Sequence, residues 1–125
     1  MSVIPLAVAL MLFQSGPGPG FAEARTRAER YETDLASQTY RTEVLDPLLT
    51  PKTRALFSRC YPDSVGRRLA FTLIVSFEDG KFDRVDRDSE DPVARCMSAA
   101  FEEIRWPRPP HDDFAEEFHF DLSPN

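Results

Sequence analysis

The chain has 125 residues, 42% of them hydrophobic and 11% aromatic, with 15 Lys+Arg against 21 Asp+Glu and a formal charge of −6. That length suits one domain, and the apolar content argues against wholesale disorder. The acidic balance argues against a nucleic-acid or anionic-membrane surface, because both need clustered Lys and Arg.

Val3 to Phe13 is an apolar run broken by Pro5, followed by the Gly/Pro stretch Ser15 to Gly20 and then Phe21-Ala22-Glu23-Ala24. This is the pattern of a secretory signal peptide over residues 1–22, with the cut after Ala22 or Ala24, although its first residues carry no Lys or Arg. A packed N-terminal element is disfavoured by Pro5 and the Pro-Gly repeat. The run is also far shorter than the roughly 20 apolar residues a membrane span needs, so no span is expected in the mature chain. With no Cys near the cut, a lipid anchor is not indicated. Export places the mature protein in the periplasm or outside the cell.

From Glu23 to Ser37, the residues Ala24, Ala28, Tyr31 and Leu35 recur at helical spacing on an otherwise charged segment, which predicts a solvated helix lying on something larger. Gln38 to Leu49 is broken by Pro47 and reads as a connector, so residues 23–49 form a helix and connector ahead of a domain over 50–125. Thr50-Pro51 is a helix-start signal, and Leu56, Phe57, Cys60 and Tyr61 supply a buried face before Pro62 and Gly66 end the helix. Leu69, Phe71, Leu73, Val75 and Phe77 then alternate with Ala70, Thr72, Ile74 and Ser76, which predicts a half-buried strand.

Asp79-Gly80 is a tight hairpin signal. On the return strand Phe82 and Val85 have opposite parity, and a β-bulge between them would restore one inward face. Asp91-Pro92 opens a second helix, in which Val93, Cys96, Met97, Ala100, Phe101 and Ile104 form one apolar face. Trp106 to Pro110 makes a stiff crossover to a last alternating strand, Phe114 to Leu122. The expected architecture is α+β: a three-stranded antiparallel sheet with two helices packed on one face, plus an extra N-terminal helix.

Cys60 and Cys96 are the two cysteines of the chain. In an oxidising compartment such a pair predicts a disulfide, the alternative being two separate buried thiols; two ligands are too few for structural zinc. Other candidate chemistry is sparse. His111-Asp112-Asp113 could ligate a metal or act as acid and base, but a short polar run after prolines is more often a solvated turn. Asp83, Asp86, Asp88, Glu90 and Asp91 could attract a cation, yet they lack the Gly and distal Glu of a calcium loop, and Arg84 and Arg87 intersperse them. No phosphate loop, nucleophile elbow or paired-carboxylate cleft is present, so neither catalytic residues nor a metal or other cofactor are expected.

The run Leu69 to Val85, the loop at Ser89, the helix Val93 to Ile104, the Trp106-Pro107 stop and the terminal strand to Leu122 together resemble the TonB C-terminal domain. More narrowly they resemble the cysteine-paired AgmX/PglI type of gliding-motility-associated proteins, in which a Cys-Tyr precedes the hairpin and a second Cys lies in the next helix, as Cys60-Tyr61 and Cys96 do. The resemblance covers about Thr50 to Leu122. It implies a non-enzymatic periplasmic binding module that accepts an extended peptide of a cell-envelope protein on its last strand. Carried over, the docking edge is Phe114, Ala115, Glu116, Glu117, Phe118, His119, Phe120 and Asp121, with Glu117, His119 and Asp121 on its outer face. The chain departs from an energy transducer in lacking a long membrane anchor and a long Pro-rich spacer. The alternative is an extracytoplasmic structural or inhibitory protein that uses the helix Glu23 to Ser37 to bind a larger complex or, weakly, copies of itself.

Overall fold

The computed structural model describes residues 19–124. Val3 to Phe13 and the following residues up to 18, on which the export expectation rests, lie outside the described residues.

Three strands form one antiparallel sheet in the order β2-β1-β3, where β1 is Leu69–Glu78, β2 is Lys81–Arg87 and β3 is Ala115–Leu122. The β1–β2 turn is Asp79-Gly80, both at positive φ (53° and 75°), the type I′ geometry that Gly tolerates without a Cβ clash. Gly80 also donates its N–H to the Asp112 carbonyl at 3.0 Å, tying the turn to the loop ahead of β3. The expected bulge is present: Phe77 faces Phe82 while Ser76 faces Arg84, leaving Asp83 as the extra residue. Phe82 and Val85 thereby both reach the core.

The helical elements are α1 (Pro19–Arg30), α2 (Leu35–Tyr40), α3 (Asp46–Cys60) and α4 (Pro92–Glu102). A widened π-turn, Arg41–Leu45, joins α2 to α3 with right-handed helical backbone throughout, so one rod runs from Leu35 to Cys60. On one face of the sheet Phe71, Leu73, Val75 and Phe77 pack with Leu45, Leu49 and Cys60 of the rod and with Val93, Met97 and Phe101 of α4. On the other face Phe21, Ala24 and Ala28 of α1 pack against Ile74 and Ala115. The molecule is therefore a three-layer α+β fold, with two helices on one face and the N-terminal helix on the other.

Four sequence expectations are corrected. The helix Glu23 to Ser37 is two helices, because Asp34 caps α2 by accepting from the Ser37 N–H and hydroxyl at 3.0 and 2.8 Å. Ala24 and Ala28 are buried as their spacing predicts, but Leu35, beyond the break, is 75% exposed. The connector Gln38 to Leu49 is helical, and the helix does not start at Thr50-Pro51 but runs through it. Asp46 donates its N–H to the Arg41 carbonyl, five residues back. This wider turn accommodates the Pro47 ring, which a regular turn would push into the preceding carbonyl. Finally, β1 is buried on both faces: Thr72, Ile74 and Ser76 are all buried, with Ile74 packed against α1.

Asp91 caps α4 by accepting from the Val93 N–H at 2.8 Å, and Trp106 Nε1 donates to the Phe101 carbonyl at 3.0 Å just past the helix end. Cys60, the last residue of α3, is joined to Cys96 of α4 with the Cα atoms 5.6 Å apart.

Replacing both cysteines by Ala is expected to cost about 3–4 kcal/mol, the loop-closure entropy of a 36-residue separation, read as a lower urea midpoint. A second expectation concerns Phe21, which is buried and lies ahead of both expected cut positions. A chain starting at Glu23 should be about 2 kcal/mol less stable than one starting at Phe21; equal urea midpoints would mean that this aromatic contributes nothing.

Candidate functional site

Alternate residues of a strand direct their N–H and C=O groups to opposite neighbours. In β1 the Phe77 N–H donates to the Phe114 carbonyl at 2.9 Å, whereas the Thr72 carbonyl accepts from Asp88 at 3.3 Å. The odd-numbered residues of β1 thus bond towards β3 and the even-numbered ones towards β2. With Leu73 opposite Phe118 and Phe71 opposite Phe120, the even-numbered residues of β3 bond to β1. The main-chain groups of Ala115, Glu117, His119 and Asp121 point to the open side. Among the described residues, no main-chain hydrogen bond from another element reaches them.

The side chains of β3 divide by the same parity. Glu116, Phe118, Phe120 and Leu122 lie on the face of α3 and α4, while Ala115, Glu117, His119 and Asp121 lie on the face of α1. Ala115 is buried against α1. Glu117 accepts from Arg25 Nε at 3.3 Å, and His119 Nδ1 is 3.0 Å from the Thr72 hydroxyl. Glu117, His119 and Asp121 are exposed, as their parity predicts.

Arg41 is anchored at one end of this edge. From the π-turn its Nε donates to both Glu116 oxygens (2.6 and 2.8 Å), and its terminal nitrogens donate to the Tyr31 and Glu32 carbonyls (3.1 and 3.3 Å). Burial pushes the Glu116 carboxyl above its ordinary value even though Arg41 pulls it down. The same burial, with the Glu116 charge nearby, pushes the Tyr40 phenol up to about 12; its hydroxyl donates to the Pro107 carbonyl at 2.6 Å. Beyond this strap, between β3 and α3, lies an apolar groove of about 430 Å³ lined chiefly by Leu49, Phe57, Phe101, Phe118 and Phe120. On the opposite face a polar recess of about 410 Å³ is lined by Glu29, Glu32, Arg41, Glu117 and His119.

Sequence reasoning placed the strand but missed both Arg41 and the groove wall, since each begins in the segment that Pro47 marks as a connector. The spacing of Leu45 and Leu49, one helical turn apart and both buried, was the available signal.

The remaining candidates are held by structural partners. His111 stacks on Tyr31 with centroids 4.4 Å apart and its Nε2 is 2.7 Å from Asp34; Asp113 accepts from the Tyr31 hydroxyl and from Arg30. Those contacts hold the Asp34 and Asp113 carboxyls below their usual values, through the His111 and Tyr31 hydrogen bonds respectively. Asp88 accepts from the Thr72 N–H, Asp86 pairs with Arg84, Glu90 with Arg87, and Asp91 with Arg67, so these carboxylates do not converge. Among the described residues no group of three His, Cys, Asp or Glu is arranged to hold a metal, and no helix is long and apolar enough to cross a membrane. The apolar stripe of α1 is occupied by Ile74 and Ala115 of the sheet rather than left open to a partner.

No protein-family model, curated protein or solved structure matches this chain.

The buried strap has a pH signature. Because the Glu116 carboxyl is raised in the folded state, the fold binds this proton more tightly than the unfolded chain does, and the contribution of this group to stability falls as pH rises through the folded pKa. Glu116→Gln removes that dependence, so the stability difference should move in favour of the variant as pH rises from the carboxylate range to neutrality. Urea unfolding across that range checks it; movement the other way would mean that the ion pair with Arg41 outweighs burial.

Proposed function

We propose that this chain is a non-enzymatic protein-binding module of the cell envelope, exported to the periplasm or beyond, that takes up an extended peptide of another envelope protein by main-chain pairing along β3. The observation that carries the reading is the position of β3 at the edge of the sheet, with the N–H and C=O groups of Glu117, His119 and Asp121 directed away from β1. Such groups are satisfied by water in the free protein and by a visiting strand in a complex. The resemblance of Thr50 to Leu122 to the TonB C-terminal domain supports the same reading, as does the disulfide, which suits an oxidising compartment.

The edge assignment separates two kinds of proline substitution. Glu117→Pro or Asp121→Pro removes a donor that faces outward and should leave cooperative unfolding intact. Phe118→Pro removes a donor to β1 and should unfold the sheet. With a photo-crosslinking residue at position 119 of the protein in its native host, the crosslinked peptide should come from an envelope protein and vanish in the folded Glu117→Pro and Asp121→Pro variants. Undiminished crosslinking in those variants would remove edge pairing from consideration.

A further inference from the structure

The two faces of β3 differ in chemistry, and a strand added beside it must meet both. Successive side chains of an added strand fall alternately on the helix side and the α1 side of the extended sheet. On the helix side they meet the groove walled by Leu49, Phe57, Phe118 and Phe120, which runs alongside the strand and has room for large apolar side chains. On the α1 side they meet an acidic rim, Glu29 from the helix and Glu32 from the turn after it with Glu117 and Asp121 from the strand. The cations of that rim are already engaged: Arg25 with Glu117, and Arg41 with Glu116. His119 sits beside Thr72, whereas Glu29, Glu32 and Asp121 have no ion pair among the described residues.

Resting on the edge-pairing reading, we infer that the peptide received by β3 alternates lysine or arginine with large apolar residues, the cations facing the acidic rim and the apolar side chains entering the groove. Charge also argues against a second copy of this chain as the occupant. Two copies joined edge to edge would bring two acidic rims together, on chains that each carry −6. Opposite charges across paired strands stabilise and like charges oppose.

The probe is a capped, fluorescent heptapeptide, Lys-Phe-Lys-Leu-Lys-Phe-Lys, titrated with the purified chain and followed by anisotropy. Its controls are the same residues in block order and a version with Glu in place of Lys. The alternating Lys probe should bind at least about tenfold more tightly than either control, the scale of one or two lost side-chain contacts. Filling the groove with Thr53→Trp should weaken the Phe probe but not a version with Ala at its apolar positions, and Asp121→Lys should shift the preference towards the Glu version. Cooperative unfolding of each variant is checked first.

If Glu117→Pro abolishes binding while Thr53→Trp and Asp121→Lys change nothing, edge pairing stands and the proposed peptide pattern falls. Binding that survives Glu117→Pro removes the edge reading itself. A dimer seen by sedimentation and dissolved by Glu117→Pro would identify a second copy as the occupant and overturn the inference.

Discussion

A strand buried on both faces must satisfy its main chain sideways and its side chains above and below, and β1 does all of this at once. Its odd-numbered residues, Phe71 to Phe77, hold the rod and α4, while Ile74 holds α1 from the other side. Its hydrogen bonds alternate between β2 and β3. Because β1 takes up the central position, β2 and β3 are left as edges, and the open rim on β3 follows directly from how β1 is buried. The disulfide then fastens the two helices of the larger layer to each other at the end of the rod.

The parts of this fold legible from the residues were those governed by strict local rules. Alternation marked β1 and β3, Asp79-Gly80 marked the turn, and the parity clash between Phe82 and Val85 marked the bulge, because a two-residue repeat leaves little freedom. Asp91-Pro92 marked the start of α4 for the same reason. What escaped depended on tertiary context. Pro47 signals a break in an isolated helix, yet the burial of Tyr40, Leu45 and Leu49 stabilises a helical path around it, with one widened turn absorbing the ring. Thr72 and Ser76 read as a solvent face because α1, whose stripe is made mostly of alanine, announces its docking only weakly.

The same contrast explains the candidate site. That β3 is an alternating strand could be read from its residues, and its role as an edge came from the family resemblance, but the Arg41 strap and the groove could not be read, since both come from a segment distant in sequence. Conversely, the His111-Asp112-Asp113 run and the acidic cluster after the hairpin looked like chemistry in one dimension. In three dimensions most of these groups are taken by a nearby donor, which fixes loops and helix ends: Asp34 and Asp113 hold the α1–α2 turn against the loop before β3, and Asp91 caps α4.

The strap from Arg41 to Glu116, Tyr31 and Glu32 gives the rim a polarity of its own. It ties the start of β3 to the α1–α2 turn and to the rod at once, whereas the Asp121 end carries no ion pair among the described residues, so the two ends of the rim differ in how firmly they are held. For the peptide proposed above, that asymmetry would set a frame: pairing would be counted from the strapped end, near Glu116.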